Sequence, residues 1–207
     1  MLAVAAWFGV VGLIVNAIVS PSDESSVAGA VFGTVSAYTW QSNLFVALWL
    51  TAALRPAGGP SRWLSPVIHG AITVYISVTF LVFALVLEGL WDPVGLLLVL
   101  SIVTHYVVPI AFIADWLLFA ERRSHRWDFV WRWFTYPLAY LVFALVRGAI
   151  VGDYIYPFLD VDELGWSGVA VSVMVLSAFL AILGAGFVAV NRRLPIDQSA
   201  SPSTARQ

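Results

Sequence analysis

The sequence contains no cysteine and no lysine, and only 11% of its 207 residues are charged. Without cysteine the chain forms no disulfide, has no thiol nucleophile and offers no thiolate ligand to a metal. The formal net charge of -2 is too small to indicate a nucleic-acid partner. Hydrophobic residues make up 61% of the chain, and its mean hydropathy is +0.91. These values exclude a soluble domain with a single core and indicate an integral membrane protein.

Six apolar segments, each long enough for a helix to cross a bilayer, follow one another along the chain. They cover residues 2–19, 31–54, 67–87, 94–118, 129–151 and 167–190. The first segment lacks a preceding basic stretch and a small-residue cleavage site, so we interpret it as a helix and not as a removable signal peptide. The sequence therefore predicts an all-α bundle of six transmembrane helices over residues 1–190. We expect the polar segment 191–207 to be a disordered cytoplasmic tail.

The ten basic residues, all arginine, are distributed unevenly among the connections between these helices. Acidic residues occupy every second connection. Nine arginines lie in the remaining connections or beyond the sixth helix: Arg55, Arg62, Arg122, Arg123, Arg126, Arg132, Arg192, Arg193 and Arg206. Because cytoplasmic connections are rich in arginine, we expect both termini in the cytoplasm. The exception, Arg147, lies near the outer end of the fifth helix. There it either extends to the surface or pairs with an acid such as Glu88 or Asp160.

Polar residues interrupt two of the apolar segments. Thr39, Gln41 and Asn43 lie in the second segment, and His105 lies in the fourth. An ionisable side chain inside a membrane helix costs a few kcal/mol, so it faces the bundle interior and marks a functional site by default. At about 1.5 Å per residue from the outer ends, Thr39 lies roughly 12 Å deep and His105 roughly 16 Å deep. We therefore expect these two side chains in one layer of the membrane.

A hydroxyl and an imidazole at one depth suggest a nucleophile and its general base. Threonine is a weak nucleophile, and a histidine within hydrogen-bond reach can take its proton as it attacks an ester carbonyl. Two structural alternatives stay open: the Thr39 hydroxyl bonds back to the Val35 carbonyl, or His105 only ties two helices together.

Other polar groups are candidates for supporting roles in such a site. The side-chain amides of Gln41 and Asn43 are donors of the type that stabilises an oxyanion. The group that orients the imidazole must come from another helix, and the sequence does not distinguish among Gln41, Tyr106 and Tyr140. Tyr140 and Arg147 are further candidates for contact with a substrate.

Three more ionisable residues are assigned structural roles. Asp115 lies ten residues, roughly 15 Å, beyond the interior histidine on the same helix, so we expect it to pair with the Arg122 and Arg123 region at the cytoplasmic surface. His69 and His125 lie near that surface and are expected to contact water. Because His105 lies at a different depth from both and no carboxylate is nearby, no metal site is predicted.

Short motifs lie along the chain at Tyr38-Thr39, at His105 followed by Pro109 and Asp115, and in the run from Ala139-Tyr140 through Gly148 to Tyr-Ile-Tyr-Pro-Phe-Leu-Asp at 154–160. These motifs resemble the family of the androgen-induced and androgen-dependent TFPI-regulating membrane proteins. Segments 41–44 and 136–140 are more similar to the prokaryotic six-helix relatives of that family, sometimes called Pr-six-Pr. The resemblance extends from about the second helix to the sixth, and its most specific piece is the segment after the fifth helix.

The resemblance implies a multi-pass threonine hydrolase that cleaves fatty-acid esters of hydroxy fatty acids. The nucleophile would be Thr39 and its histidine partner His105, the same pair that the depths indicate. It implies a protein of a prokaryotic cell membrane whose partners are the lipid bilayer and an acyl-ester substrate, and no cofactor is expected.

Some alternatives to this interpretation stay open. Segment 154–160 either forms a lid over a lipid-accessible cavity or belongs to an ordinary aromatic belt at the membrane surface. The polar interior could instead line a transport path, which would favour more interior charges and a repeat between the two halves than this sequence shows. The protein could also be a structural or assembly factor whose polar residues only bind helices together.

Overall fold

The computed structural model describes residues 1–20, 26–54, 64–90 and 92–194. Within these ranges the chain is helical and contains no strand, which confirms the predicted all-α class. The helices are α1 (Leu2–Val19), α2 (Val27–Ser36), α3 (Tyr38–Ala53), α4 (Pro66–Val82), α5 (Gly95–Ile102), α6 (Val108–Phe119), α7 (Asp128–Trp133), α8 (Thr135–Val151) and α9 (Val161–Arg193). Helix α9 includes the first residues of the expected tail, and the tail from residue 195 onward lies outside the described residues.

Among the residues that the structure describes, five helical stretches are long and apolar enough to cross a membrane. They are Leu2–Val19, Pro66–Leu90, Gly95–Phe119, Asp128–Val151 and Val161–Arg193, and they correspond to five of the six predicted segments. Large apolar side chains cover their outer faces: Ile150 is 78% exposed and Ile182 is 74% exposed. Contiguous apolar surface of this kind is expected where lipid tails replace water. The chain thus has the architecture of a multi-pass membrane protein.

The predicted helix over residues 31–54 is not continuous. Ala37 adopts an extended conformation, with φ -70° and ψ 137°, and separates α2 from α3. The two parts have 10 and 16 residues, so neither is long enough to cross a bilayer alone. The prediction of one uninterrupted helix here is wrong, and the break creates a helix N-terminus at Tyr38 and Thr39 inside the bundle.

Two π-helical turns interrupt the neighbouring helices. One covers Phe83–Leu87 at the end of α4, and the other covers Val103–Val107 between α5 and α6. In the second turn the Val108 amide donates to the Val103 carbonyl five residues earlier. Pro109 follows at once, and its missing amide hydrogen disturbs the regular helical pairing at this point. Single π turns inside α-helices are frequent at functional sites, and this π turn includes His105.

Contacts between helix ends show how the helices run relative to one another. The Trp7 indole near the start of α1 donates to the Thr51 hydroxyl near the end of α3, at 2.9 Å. The Asn191 side chain of α9 accepts from the His125 amide and donates to the Glu121 carbonyl, each at 2.9 Å. The end of α9 therefore lies against the connection between α6 and α7.

Candidate active site

The Thr39 hydroxyl and the His105 imidazole are in direct contact. Thr39 Oγ1 lies 3.2 Å from His105 Nε2, which joins the first turn of α3 to the π turn after α5. The alternative bond from Thr39 to Val35 is not formed. The extended Ala37 interrupts the helix between them, and the Val35 carbonyl accepts from Gln41 Nε2 at 3.0 Å instead. The sequence-based expectation that these two side chains share one layer is thus met by a direct contact.

The second ring nitrogen of His105 faces Ser101, one turn earlier. Nδ1 lies 3.0 Å from the Ser101 carbonyl oxygen and 3.2 Å from the Ser101 hydroxyl. Because a carbonyl oxygen only accepts, we assign the proton of the neutral ring to Nδ1. The lone pair of Nε2 then points at the Thr39 hydroxyl, which is the tautomer that a general base requires.

Ser101 is therefore the group that orients the imidazole. The expectation that this group comes from another helix is wrong, because Ser101 and His105 lie in the same helical stretch, Gly95–Phe119. Ser101 was also not among the candidates Gln41, Tyr106 and Tyr140. The spacing of four residues between Ser101 and His105 is the signal that could have found it, since residues four apart share a helix face. Gln41 and Tyr140 instead contact the segment around the helix break.

The side-chain amides proposed as oxyanion donors are bonded inside the bundle. Asn43 Nδ2 donates to the Thr39 carbonyl at 2.8 Å and to the Thr104 carbonyl at 3.1 Å. Gln41 Nε2 donates to the Val35 carbonyl at 3.0 Å. These bonds hold the helix break and the π turn together, and an oxyanion role for either residue stays a prediction.

Arg147 lies near the C-terminal end of α8. Gly152 ends this helix in the left-handed region, with φ 73°, and the reversal brings the next residue, Asp153, beside the guanidinium. Arg147 Nη1 lies 2.9 Å from Asp153 Oδ2. The expected partners of Arg147, Glu88 or Asp160, are therefore wrong, because Arg147 pairs with Asp153. A contact between Arg147 and a substrate stays a prediction.

The segment between α8 and α9 folds inward over the start of α3. The Tyr156 hydroxyl accepts from the Tyr38 amide at 3.1 Å, and the Tyr140 hydroxyl donates to the Ser36 carbonyl at 3.0 Å. Burial raises the pKa of the Tyr156 phenol, against smaller opposing contributions from neighbouring hydroxyl and amide groups. The phenol therefore keeps its proton. This inward position supports a lid rather than an aromatic belt for segment 154–160.

Two cavities adjoin the dyad of Thr39 and His105, with empty volumes of about 870 Å³ and 1400 Å³ including their open mouths. Thr39, Phe83, Leu87 and Tyr156 line both of them. The first cavity is otherwise bounded mainly by apolar side chains of α4, α8 and α9: Val78, Val82, Leu138, Leu141, Val173 and Leu176. The second is lined by His105 together with Ser101 and Thr104. Thr39 thus lies at the wall shared by two cavities, both of which are lined mainly by apolar side chains.

The other two histidines are buried, so the expectation that they contact water is wrong. His69 is 6% exposed and His125 is 1% exposed. Asp115 Oδ2 lies 3.6 Å from His69 Nε2. The expected pairing of Asp115 with Arg122 and Arg123 is also wrong, because Arg122 donates to backbone carbonyls at the end of α6. Packing between helices covers both imidazoles, and the sequence does not predict this packing.

Comparison of the chain with known proteins does not identify the function of this site. No protein-family model, curated protein or solved structure matches the chain. What the site does must therefore be inferred from the chemistry of the side chains themselves.

Proposed function

We propose that the protein is an intramembrane hydrolase of lipid carboxylic esters, with Thr39 as nucleophile and His105 as general base. The contact that carries this proposal is the 3.2 Å approach of Thr39 Oγ1 to His105 Nε2. With Ser101 bonded to the far side of the ring, the site contains a nucleophile, a base and an orienting group in series. The motifs around Thr39 and His105 that resemble a threonine hydrolase family support the same roles.

In the first half of the reaction an acyl group is transferred to the enzyme. His105 Nε2 takes the hydroxyl proton of Thr39 as Oγ1 bonds to the ester carbonyl carbon, and the carbonyl electron pair moves to its oxygen. When this tetrahedral intermediate collapses, the carbonyl re-forms and the bond to the alcohol oxygen breaks. His105 gives its proton to the departing alcohol, which leaves the fatty acyl group on Thr39 as an ester.

In the second half, water replaces the alcohol. His105 takes a proton from the water as its oxygen attacks the acyl carbonyl, and collapse breaks the bond to Thr39 Oγ1. The proton returns to Thr39, and the fatty acid is released. The balance requires only the ester and water.

The positions of the cavities favour an ester with a chain on each side of the scissile bond. The leaving alcohol must lie near His105, which lines the second cavity only. The acyl chain then occupies the first cavity, whose walls are mainly apolar. A fatty-acid ester of a hydroxy fatty acid, drawn from the bilayer, has this shape and is the substrate class that the resemblance implies.

We further infer six crossings with both termini in the cytoplasm of a prokaryotic cell. Helices α2 and α3 together supply the sixth crossing, with the break at Ala37 inside the bundle. The alternation of arginine-rich and acid-rich connections supports this orientation. So does the contact of Asn191 with His125, which places the end of α9 beside an arginine-rich connection.

The test is hydrolysis of a panel of acyl esters by the purified full chain in lipid nanodiscs. We expect Thr39→Ala and His105→Ala to lower turnover by at least about 10³-fold, as for other hydroxyl–imidazole nucleophiles. Thr51→Ala is the matched control, because Thr51 lies on the same helix and bonds to Trp7 away from the cavities. Equal turnover in all variants would contradict the proposal and favour a transport or assembly role.

Covalent labelling provides an independent measurement. A fluorophosphonate reacts with activated hydroxyl nucleophiles, so we expect it to modify Thr39 in the wild-type protein. Mass spectrometry of the labelled peptide identifies the residue. Labelling elsewhere, or labelling that persists in Thr39→Ala, would contradict the assignment of the nucleophile.

A further inference from the structure

The proposed dyad needs a hydrogen-bond donor for the oxygen that becomes negative during attack. The nearby side-chain amides do not offer one in this arrangement. The Asn43 amide group donates to two backbone carbonyls, and the Gln41 amide group donates to the carbonyls of Val35 and Ser36. The donors that remain near Thr39 are the backbone amides in the first turn of α3 and the hydroxyl groups of the segment that folds over it.

Tyr156 has the position for this role. Its hydroxyl accepts from the amide of Tyr38, the residue directly before the nucleophile, and its side chain lines both cavities together with Thr39. The hydroxyls of Tyr140 and Thr39 are hydrogen-bonding neighbours of the Tyr156 hydroxyl, which donates to no carbonyl or carboxylate oxygen among the described residues. The neighbouring Tyr140 hydroxyl is bonded instead to the Ser36 carbonyl.

The bond from the Tyr38 amide also makes Tyr156 a stronger donor. Tyr38 begins α3, a helix of 16 residues, so its amide lies at the positive end of the helix dipole. A hydroxyl that accepts a hydrogen bond is polarised and donates its own proton more strongly. The inward fold of segment 154–160 therefore brings an activated phenol to the nucleophile.

We propose that Tyr156 is a catalytic residue whose hydroxyl donates a hydrogen bond to the oxyanion formed when Thr39 attacks the ester. As the bond from Thr39 Oγ1 to the carbonyl carbon forms, the carbonyl electron pair moves to the oxygen, and the Tyr156 O–H stabilises that charge. The proton stays on Tyr156 throughout, and the bond weakens when the carbonyl re-forms. This inference rests on the proposed ester hydrolysis.

The experiment compares Tyr156→Phe with the wild-type full chain in nanodiscs, using one long-chain ester substrate. We expect kcat to fall about 100-fold with KM nearly unchanged, because the lost bond forms only in the transition state. Tyr154→Phe is the matched control in the same segment, since Tyr154 lines neither cavity and its ring packs on Gly148. We expect that control to keep wild-type turnover.

A second measurement separates catalysis from support of the fold. Replacing Tyr156 by 3,5-difluorotyrosine keeps the ring and the hydroxyl but makes the phenol more acidic. We expect kcat to change with this acidity while the thermal unfolding midpoint stays the same. This measurement decides the question even where Tyr156→Phe fails to fold.

The outcomes distinguish this inference from the proposed function. If Thr39→Ala is inactive while Tyr156→Phe and the fluorinated protein keep wild-type kcat, Tyr156 is not the oxyanion donor and the hydrolase proposal stands. If the wild-type protein lacks turnover, or Thr39→Ala equals it, the hydrolase proposal fails and this inference fails with it.

Discussion

The ring of Phe83 lies flat against the imidazole of His105, with ring centroids 3.7 Å apart and planes inclined by 16°. Each ring belongs to one of the two π turns, so two local irregularities in different helices meet at one contact. Ser101 bonds to the edge of the imidazole, whereas Phe83 covers its face. Together these contacts fix the tilt of the ring and the direction of Nε2 toward Thr39.

Replacing Phe83 tests whether this stacking positions the base. We expect Phe83→Leu to lower kcat about tenfold, because a small rotation of the imidazole lengthens its contact with Thr39. The measurement is turnover of an acyl ester at saturating concentration. Phe80→Leu is the control, since the Phe80 ring packs against Tyr106 and not against His105. Equal kcat for the two variants would show that Phe83 serves the fold alone.

Much of the fold could be predicted because membrane helices are long apolar runs. Segments 67–87 and 94–118 predicted the stretches Pro66–Leu90 and Gly95–Phe119 closely. The shared depth of Thr39 and His105 suggested their contact, but the sequence also left open a bond from Thr39 back to the Val35 carbonyl.

The helix break and the π turns could not be predicted in the same way. Ala37 is an ordinary helix former, and its extended conformation is stabilised by distant groups, such as Tyr140 bonding to the Ser36 carbonyl. Phe83 is one apolar residue among many, so nothing in the sequence marks it as a neighbour of His105. The helix break and the π turns depend on contacts between helices, and hydropathy along the sequence does not predict such contacts.

The first cavity should set the preferred acyl-chain length. Val173 of α9 lines it, whereas Val175, two residues further on, is 62% exposed on the outer face. We expect Val173→Phe to lower kcat/KM for long acyl chains by about tenfold, because the added ring volume displaces a few methylene groups. Short acyl esters should be hydrolysed at wild-type rates.

Val175→Phe serves as the matched control for this experiment, with the same substitution on the same helix but facing lipid. The measurement is kcat/KM for a series of esters with the same alcohol and increasing acyl length. A loss that is uniform over the series would contradict the assignment of the acyl chain to this cavity.

His125 should make the stability of the protein depend on pH. Its Nε2 accepts from the Trp116 indole at 3.3 Å, so a proton on Nε2 would break that bond. Burial lowers the pKa of His125 from 6.5 to about 4. Between these values the unfolded chain binds a proton that the folded protein does not, so stability falls as pH falls through this window. The loss is on the order of 2 kcal/mol and is absent above the upper value.

The measurement is the thermal unfolding midpoint in detergent between pH 7.5 and 4.5. His125→Gln keeps a side-chain acceptor for Trp116 but does not titrate, so we expect a flatter profile for this variant. Groups that do not interact with His125 titrate equally in both proteins and cancel in the difference. Parallel profiles for wild type and variant would contradict the assigned role of His125.

The position of Tyr156 should depend on Gly148, because α8 and segment 154–160 are in close contact there. A Cβ atom at Gly148 would overlap the ring of Tyr154, two residues before Tyr156. We expect Gly148→Ala to destabilise the protein by about 1–3 kcal/mol and to lower kcat, since the displaced ring moves the lid away from Thr39.

Gly33→Ala is the control, because a Cβ atom there meets no other atom within 4 Å. The double variant Gly148→Ala with Tyr154→Leu removes the overlap, so it should regain kcat that Gly148→Ala loses. If Gly148→Ala instead keeps full turnover, or the double variant is no better than the single one, the Tyr154 contact does not hold Tyr156 at the nucleophile.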